Sequence, residues 1–195
     1  MTPSETSLVR PRVAGEREHE ILDAALEVLA DVGYDRLTMD AVAARAKASK
    51  ATLYRRWSGK LAMVVDALVH TKGLTEVPDT GTLRGDLQEA FCGIGGLTDV
   101  AGVGTFGAIV TALVRDPEFA EAFRRDVLGP KLAASRAIWQ RAAERGELRE
   151  GLDLDLFEPV LAGIVLHRVF VLGDAPSTDL VARVIDQIVL PAATR

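Results

Sequence analysis

The sequence predicts an all-α fold of about nine helices. Apolar residues recur at three- and four-residue spacing, and helix-start and helix-stop residues punctuate the chain at helical intervals. No run alternates polar and apolar residues between turn signals as a half-buried strand would.

Ile21, Ala25, Val28, Leu29 and Val32 form one face of a first helix. Glu16, Glu18 and Glu20 lie near its start, where the helix dipole favours acids, and Gly33 ends it. Thr38 is a good N-cap for a second helix, with Leu37 and Val42 spaced as a hydrophobic staple, and that helix should stop near Ala46. Ser49 caps a short third helix to about Arg55, and Gly59 permits a fourth that begins at Lys60 and runs through Val65, Leu68 and Val69. Beyond Gly73, Asp116-Pro117 reads as N-cap and first helical residue, and Gly129-Pro130 as the close of one helix and the opening of another, which ends at Gly146. Asp155 and Glu158, three apart, open an apolar helix to about Leu172, and Ser177 or Thr178 caps a last helix to Leu190.

The 195 residues are 48% hydrophobic and 26% charged, ordinary for a globular chain, with only the first dozen residues loose. A single cysteine, Cys92, makes no internal disulfide and completes no zinc cluster, which fits a reducing cytoplasm. No apolar run follows Met1. The longest apolar segment, Val160 to Leu172, is broken by His167 and Arg168 and is shorter than the roughly 20 residues a membrane span needs. A cytoplasmic protein with no membrane partner is expected.

The net charge of −5 is unevenly spread. Residues 1–60 hold ten basic and nine acidic side chains, and residues 61–195 hold thirteen and nineteen. Arg45, Lys47, Lys50, Arg55, Arg56 and Lys60 lie in a stretch from Ala41 to Lys60 with no acid at all. Local sign matters more than the total, because a phosphate backbone responds to charges within a Debye length, roughly 8 to 10 Å.

Two short helices joined by a three- or four-residue turn let the second helix enter a major groove about 12 Å wide. Residues 38–57 have that length. The first helix spends Met39, Val42, Ala43 and Ala46 on a core, and the second spends Leu53, leaving Lys50, Thr52, Tyr54 and Arg55 outside. On spacing alone, an ordinary helical pair with a solvated basic face fits equally well.

The segment LTMDAVAARAKASKATLYRRWSGKLAMVVDAL, preceded by a helix ending ADVGYDR, resembles the N-terminal domain of the TetR family of bacterial repressors over roughly residues 14–74. Gly33, Tyr34, Thr38, Val42, Ala43, Ala46, Ser49, Thr52, Leu53, Tyr54, Trp57 and Lys60 fall in that family's order and spacing. Two positions depart from it: Lys47 stands where the turn usually carries glycine, and Gly59 where serine or a similar cap is common. The resemblance implies a helix-turn-helix DNA-binding domain over 14–74, including the linking fourth helix, and a helical effector-binding and dimerisation domain over 75–195.

The resemblance also implies DNA contacts for Thr38, Lys47, Ser49, Lys50, Ala51, Thr52, Tyr54, Arg55 and Lys60. Thr38 and the start of its helix would meet a phosphate, as helix N-termini favour, and Tyr54 and Lys60 resemble further phosphate contacts. Ser49 and Lys50 begin the reading helix. Ala51 is small enough for close approach, and Thr52 can touch a thymine methyl or donate a hydrogen bond. Arg55 can reach a phosphate or a guanine edge. Leu53 and Trp57 are packing residues, and Arg10 and Arg12 precede the first helix as a solvated arm.

The helix to Leu172 is apolar on nearly every side and must be covered twice. In TetR-like proteins the last two helices pair with their copies in a four-helix interface, which here implies Val160, Leu161, Ile164, Val165, Val181, Val184, Ile185 and Ile188. An effector cavity would draw on Phe91, Phe106, Phe123, Trp139 and His167. Gly102, Gly104 and Gly107 spell G-x-G-x-x-G, but no βαβ unit surrounds them, and they read instead as a loop and close packing of the next helix.

His19, His70 and His167 have no second ligand at metal spacing, and no Ser/His/Asp arrangement stands out, so neither metal, cofactor nor catalysis is expected. The reading is a DNA-binding regulator, a repressor released from a palindromic operator by a small-molecule effector, with a second copy of itself as partner. A helical ligand-binding or enzymatic protein with a degenerate motif and a dimeric protein-interaction module remain as rivals. The acid-free basic run speaks against both.

Overall fold

The computed structural model describes residues 14–71, 77–92 and 100–194, without the side chains of 14, 71 and 100–104. The N-terminal tail with Arg10 and Arg12, and the expected boundary at residues 74 and 75, lie outside the described residues.

Helix α1 spans Ala14–Arg36, with Gly33 (φ 76°, ψ 165°) breaking its course near the end. Helices α2 (Met39–Arg45), α3 (Lys50–Arg56) and α4 (Lys60–Thr71) follow, then α5 (Leu83–Cys92) and α6 (Val100–Arg115). Helix α7 (Pro117–Ala122) continues through a π-helical segment, Phe123–Leu128, into α8 (Gly129–Glu144). Helices α9 (Leu154–Phe157) and α10 (Val160–Phe170) come next. Helix α11 (Thr178–Val184) runs through a second π-helical segment, Ile185–Val189, into α12 (Leu190–Ala193). With the π segments joined to their neighbours, and α9 to α10, nine continuous rods result among the described residues. The β pairing seen among them is one isolated bridge, Leu148 to Thr194.

Side-chain caps set most starts. The N–H groups of Ala41, Thr52, Phe119 and Leu180 donate to Thr38 Oγ1, Ser49 Oγ, Asp116 Oδ1 and Ser177 Oγ at 3.0 to 3.1 Å, so Ser177 and not Thr178 opens the last helix. Leu37 and Val42 are both buried, as a staple requires.

Three expectations are corrected. Asp153, not Asp155, caps the helix before the apolar rod, accepting from Leu156 N, because Asp155 and Glu158 are both engaged by Arg136 at 2.6 and 2.9 Å. Gly129-Pro130 does not divide two helices: Gly129 is helical (φ −53°, ψ −50°), and Pro130 follows the π-helical segment at a position where its missing N–H costs little. A Cβ on Gly129 would sit 3.2 Å from Arg124 O, so close approach explains this glycine. Gly102, Gly104 and Gly107 lie inside α6 and do not mark a loop before it.

Two apolar clusters hold the chain. The first gathers α1 to α4 with Ile109 and Ala112 of α6, Phe119 and Ala122 of α7, and Val127. The second joins α5, α8, α10, α11 and α12 around Trp139, Ile138, Leu161, Val165, Val181 and Ile185. Helix α1 packs most broadly on α6 and next on α4, so the N-terminal unit is seated on a helix from the C-terminal half.

The interface expectation changes with this packing. Leu161, Val165, Val181, Val184 and Ile185 are buried at 0 to 4% exposure within the single chain, so their apolar surface is already covered and a second copy cannot cover it further. Val160 and Ile164 are half-buried and Ile188 is exposed.

Candidate nucleic-acid interface

Helix α3 is carried by two inward residues. Leu53 is fully buried, and Trp57 is buried with its indole Nε1 donating to Asp66 Oδ2 of α4 at 2.7 Å. These anchors turn Lys50, Ala51, Tyr54 and Arg55 outward, with Tyr54 56% exposed and no partner recorded for its hydroxyl among the described residues. Thr52 is half-buried and lies within the cap, its Oγ1 2.8 Å from Ser49 Oγ. Thr38 is exposed. Its oxygen accepts from Ala41 N, which leaves the hydroxyl proton free to be donated outward.

The turn between α2 and α3 closes with Ala48 N donating to Ala43 O at 2.9 Å. Lys47 sits in it at φ 50°, the left-handed conformation that glycine adopts without strain. Arg17 of α1 clamps this turn by donating to the carbonyls of Ala46 and Lys47 at 2.9 and 2.7 Å. Two C-terminal carbonyls of the α2 turn thereby gain a cationic partner from another helix.

Tertiary structure pairs three of the six cations of the acid-free run with acids. Arg45 pairs with Glu27 and Asp31, Arg56 with Glu18, and Lys50 with Asp40 at 2.5 Å. Lys60 donates from Nζ to Tyr34 O at 3.0 Å and lies 4.4 Å above the Tyr34 ring, tying the start of α4 to the end of α1. Tyr34 itself is buried, and desolvation, with Asp116, Glu118 and Asp35 nearby, pushes its phenol up to about 12. Among the described residues, only the Lys47 ammonium and the Arg55 guanidinium of the six cations have no such partner. Both are exposed next to the outward face of α3. Sequence reasoning missed Arg17, Asp40 and Asp66, whose partners lie 9 to 30 positions away, beyond any helical spacing.

The five aromatic residues expected around an effector do not share one wall. Phe123 stacks on Phe119 in the first cluster, and Trp139 meets Phe157 edge-on in the second. Phe106 meets Phe170, Phe91 borders the second cluster, and His167 is exposed. Two clefts, of about 410 and 360 Å³, lie elsewhere: one between α1 and the turn after α2, the other between the end of α1 and α6.

Comparison with known proteins agrees with this geometry. Residues 21–67 match the model for bacterial regulatory proteins of the tetR family, and residues 77–188 match the tetracyclin repressor-like C-terminal domain. An uncharacterised HTH-type transcriptional regulator of Mycobacterium tuberculosis is 35% identical over 185 residues, covering 92% of this chain and 89% of the relative. The DNA-binding transcriptional repressor TetR of Mycobacteroides abscessus is 35% identical over 176 residues, covering 89% of this chain and 92% of the relative.

Among solved structures, a TetR-family regulator from Rhodococcus sp. superposes with a TM-score of 0.70 at 17% identity, over 86% of this chain and 93% of that one. FadR from Bacillus subtilis, in complex with stearoyl-CoA, superposes at 0.62 with 20% identity, over 88% and 95%. At these identities the two structures show a shared fold. With both halves of the chain matched and an outward α3 standing on Leu53 and Trp57, this protein belongs to the TetR family of helix-turn-helix transcriptional regulators, which bind DNA.

Proposed function

We propose that the chain is a cytoplasmic repressor that binds a palindromic operator as a two-fold homodimer and leaves it when a small molecule binds the C-terminal half. The observation that carries the DNA reading is the seating of α3: two buried anchors inward, and Lys50, Ala51, Tyr54 and Arg55 outward beside Lys47. In this reading Lys50 and Thr52 address base edges. Thr38, Tyr54, Lys60 and Lys47 address phosphates, with Ser49 and Ala51 permitting close approach and Arg55 serving either. The division between DNA-binding and effector units is placed at residues 74 and 75, supported by family matches that end at 67 and resume at 77.

Repression and release are supported by two neighbours: the Mycobacteroides abscessus relative is named a DNA-binding repressor, and the FadR structure holds stearoyl-CoA. Phe106 and Phe170, with ring centroids 5.3 Å apart, join α10 to α6, so a small molecule that parted them would act on the helix that carries the N-terminal unit. Dimerisation is supported by a strip on α9 and α10 that the chain leaves exposed at Leu156, Gly163, His167 and Val171 and half-buried at Val160 and Ile164. Leu156, Val160, Gly163, Ile164, His167 and Val171 follow helical spacing there, with open space around Gly163. No helix among the described residues is long and apolar enough to cross a membrane.

Selection of bound sequences from random duplex DNA tests the core of this reading. The expected result is an inverted repeat with half-sites about one helical turn apart or a multiple of it. Recovery of no enriched sequence, or of a single unrepeated half-site, overturns it.

A further inference from the structure

We propose that the cleft between the end of α1 and α6 binds a small organic monocarboxylate, with Arg115 as its anchor exchanged from Asp35 to the ligand. The cleft holds about 360 Å³, within the range of small-molecule sites, and lies on the seam between the DNA-binding unit and α6. It opens where Gly33 leaves the helical course of α1. A Cβ there would meet nothing within 4 Å, so the space beside the break is unfilled.

Val32, Ala108 and Ala112 supply apolar walls, and Thr111 supplies a hydroxyl. Two guanidinium groups stand at the rim. Arg36 donates from Nε to Val32 O and has no carboxylate partner among the described residues. Arg115 pairs with Asp35 across the seam at 3.2 Å. The neighbouring Asp116 does not compete, since its carboxylate caps α7 at Phe119 N.

The charged side chains that line the cleft favour one ligand class. Among the lining side chains two arginines stand against one aspartate, which suits one carboxylate better than a dianion, and the apolar walls suit a hydrocarbon body. The Arg115 and Asp35 side chains are 68% and 53% exposed, so their pair is screened and cheaply exchanged. A carboxylate bound by Arg115 replaces Asp35, and Arg36 on the same lining offers it a second guanidinium. Because Asp35 belongs to α1 and Arg115 to α6, the exchange breaks a direct tie between the reading head and the helix it rests on. Occupancy stands independently of the DNA reading, while its effect on operator affinity rests on that reading.

Benzoate titrated into the full chain, with benzyl alcohol as the neutral analogue, tests the site by methyl NMR of Ala108, Thr111 and Ala112. Benzoate should shift these methyls saturably and benzyl alcohol should not. The decisive observation is a difference of sign across one ion pair. Arg115→Gln should weaken benzoate at least tenfold, and Asp35→Asn, which removes the competing carboxylate, should tighten it severalfold. Arg36→Gln, which leaves the ion pair intact, should also weaken it. Each variant's folding is checked by thermal unfolding.

Weakening by both Arg115→Gln and Asp35→Asn, equal shifts with benzyl alcohol, or no shift at these methyls overturns the proposal. Saturating benzoate should also lower operator affinity severalfold, and an unchanged affinity with the cleft occupied overturns the regulatory half. If no duplex is bound in the absence of benzoate, it is the DNA reading that fails, and the methyl titration still decides the site.

Discussion

Lys47 is held at φ 50°, where a side chain costs about 1 kcal/mol that glycine avoids. Lys47→Gly should therefore raise stability by roughly 0.5–1 kcal/mol in denaturant titration. The same change should weaken DNA and flatten its salt dependence by about one unit of slope per lost phosphate contact. A stabilised variant with unchanged DNA affinity would remove Lys47 from the interface. Lys60 differs, because it also holds the end of α1: Lys60→Ala should lower stability by about 1 kcal/mol as well as weaken operator and random DNA alike. Tyr54→Phe should weaken both DNAs without touching stability, since no fold partner of its hydroxyl is recorded among the described residues. Lys50→Ala and Thr52→Ala should instead cost roughly 1–3 kcal/mol on the operator alone. Binding to operator and scrambled duplexes over a salt series separates these outcomes.

At the scale of elements, the start of α5 is fastened to the end of α8 by a buried acid. Asp86 is fully buried, and its carboxylate accepts from Thr80 N at 2.6 Å, Thr80 Oγ1 at 2.8 Å and Arg145 at 3.2 Å. Burial alone would raise its pKa, but the Thr80 hydrogen bonds and the Arg145 charge outweigh it and hold the group below its ordinary value. A depressed carboxylate contributes stability that is present above its unfolded pKa of about 3.9 and is lost as pH falls through the lower folded value. Asp86→Asn should cost about 1–3 kcal/mol at pH 6, with a smaller deficit near pH 3. Thermal unfolding at the two pH values checks this, and an equal deficit at both would assign the role of Asp86 to shape rather than charge.

For the whole molecule, a second copy of the proposed dimer can face only surface that the single chain leaves uncovered. Ile164→Glu, at a half-buried position on the rim of the second cluster, should halve the mass seen in sedimentation while the monomer stays folded. Val165→Glu, one position along, should not yield a folded monomer, because it puts an unpaired charge into the second cluster at a cost on the order of 4 kcal/mol. If both variants remained dimeric and folded, the interface would lie elsewhere.

Caps, helix starts and the helix-turn-helix were legible in the sequence because their causes act over three or four residues. Thr38, Ser49, Asp116 and Ser177 bind N–H groups in their own first turn, and Leu53 turns inward by the period of the helix that bears it, with Trp57 just past that helix's end. What tertiary structure decided depends on residues far apart in the chain. The basic run from Arg45 to Lys60 has no acid in sequence, yet Glu18, Glu27, Asp31 and Asp40 meet it in space, so the cations without an acid partner shrink from six to three, Lys47, Arg55 and Lys60, among the described residues. An apolar helix shows in its sequence how much surface it must bury but not against what. Contacts across 80 or 102 positions, such as Arg115 with Asp35 and Arg84 with Asp186, exist only once packing has brought the helices together.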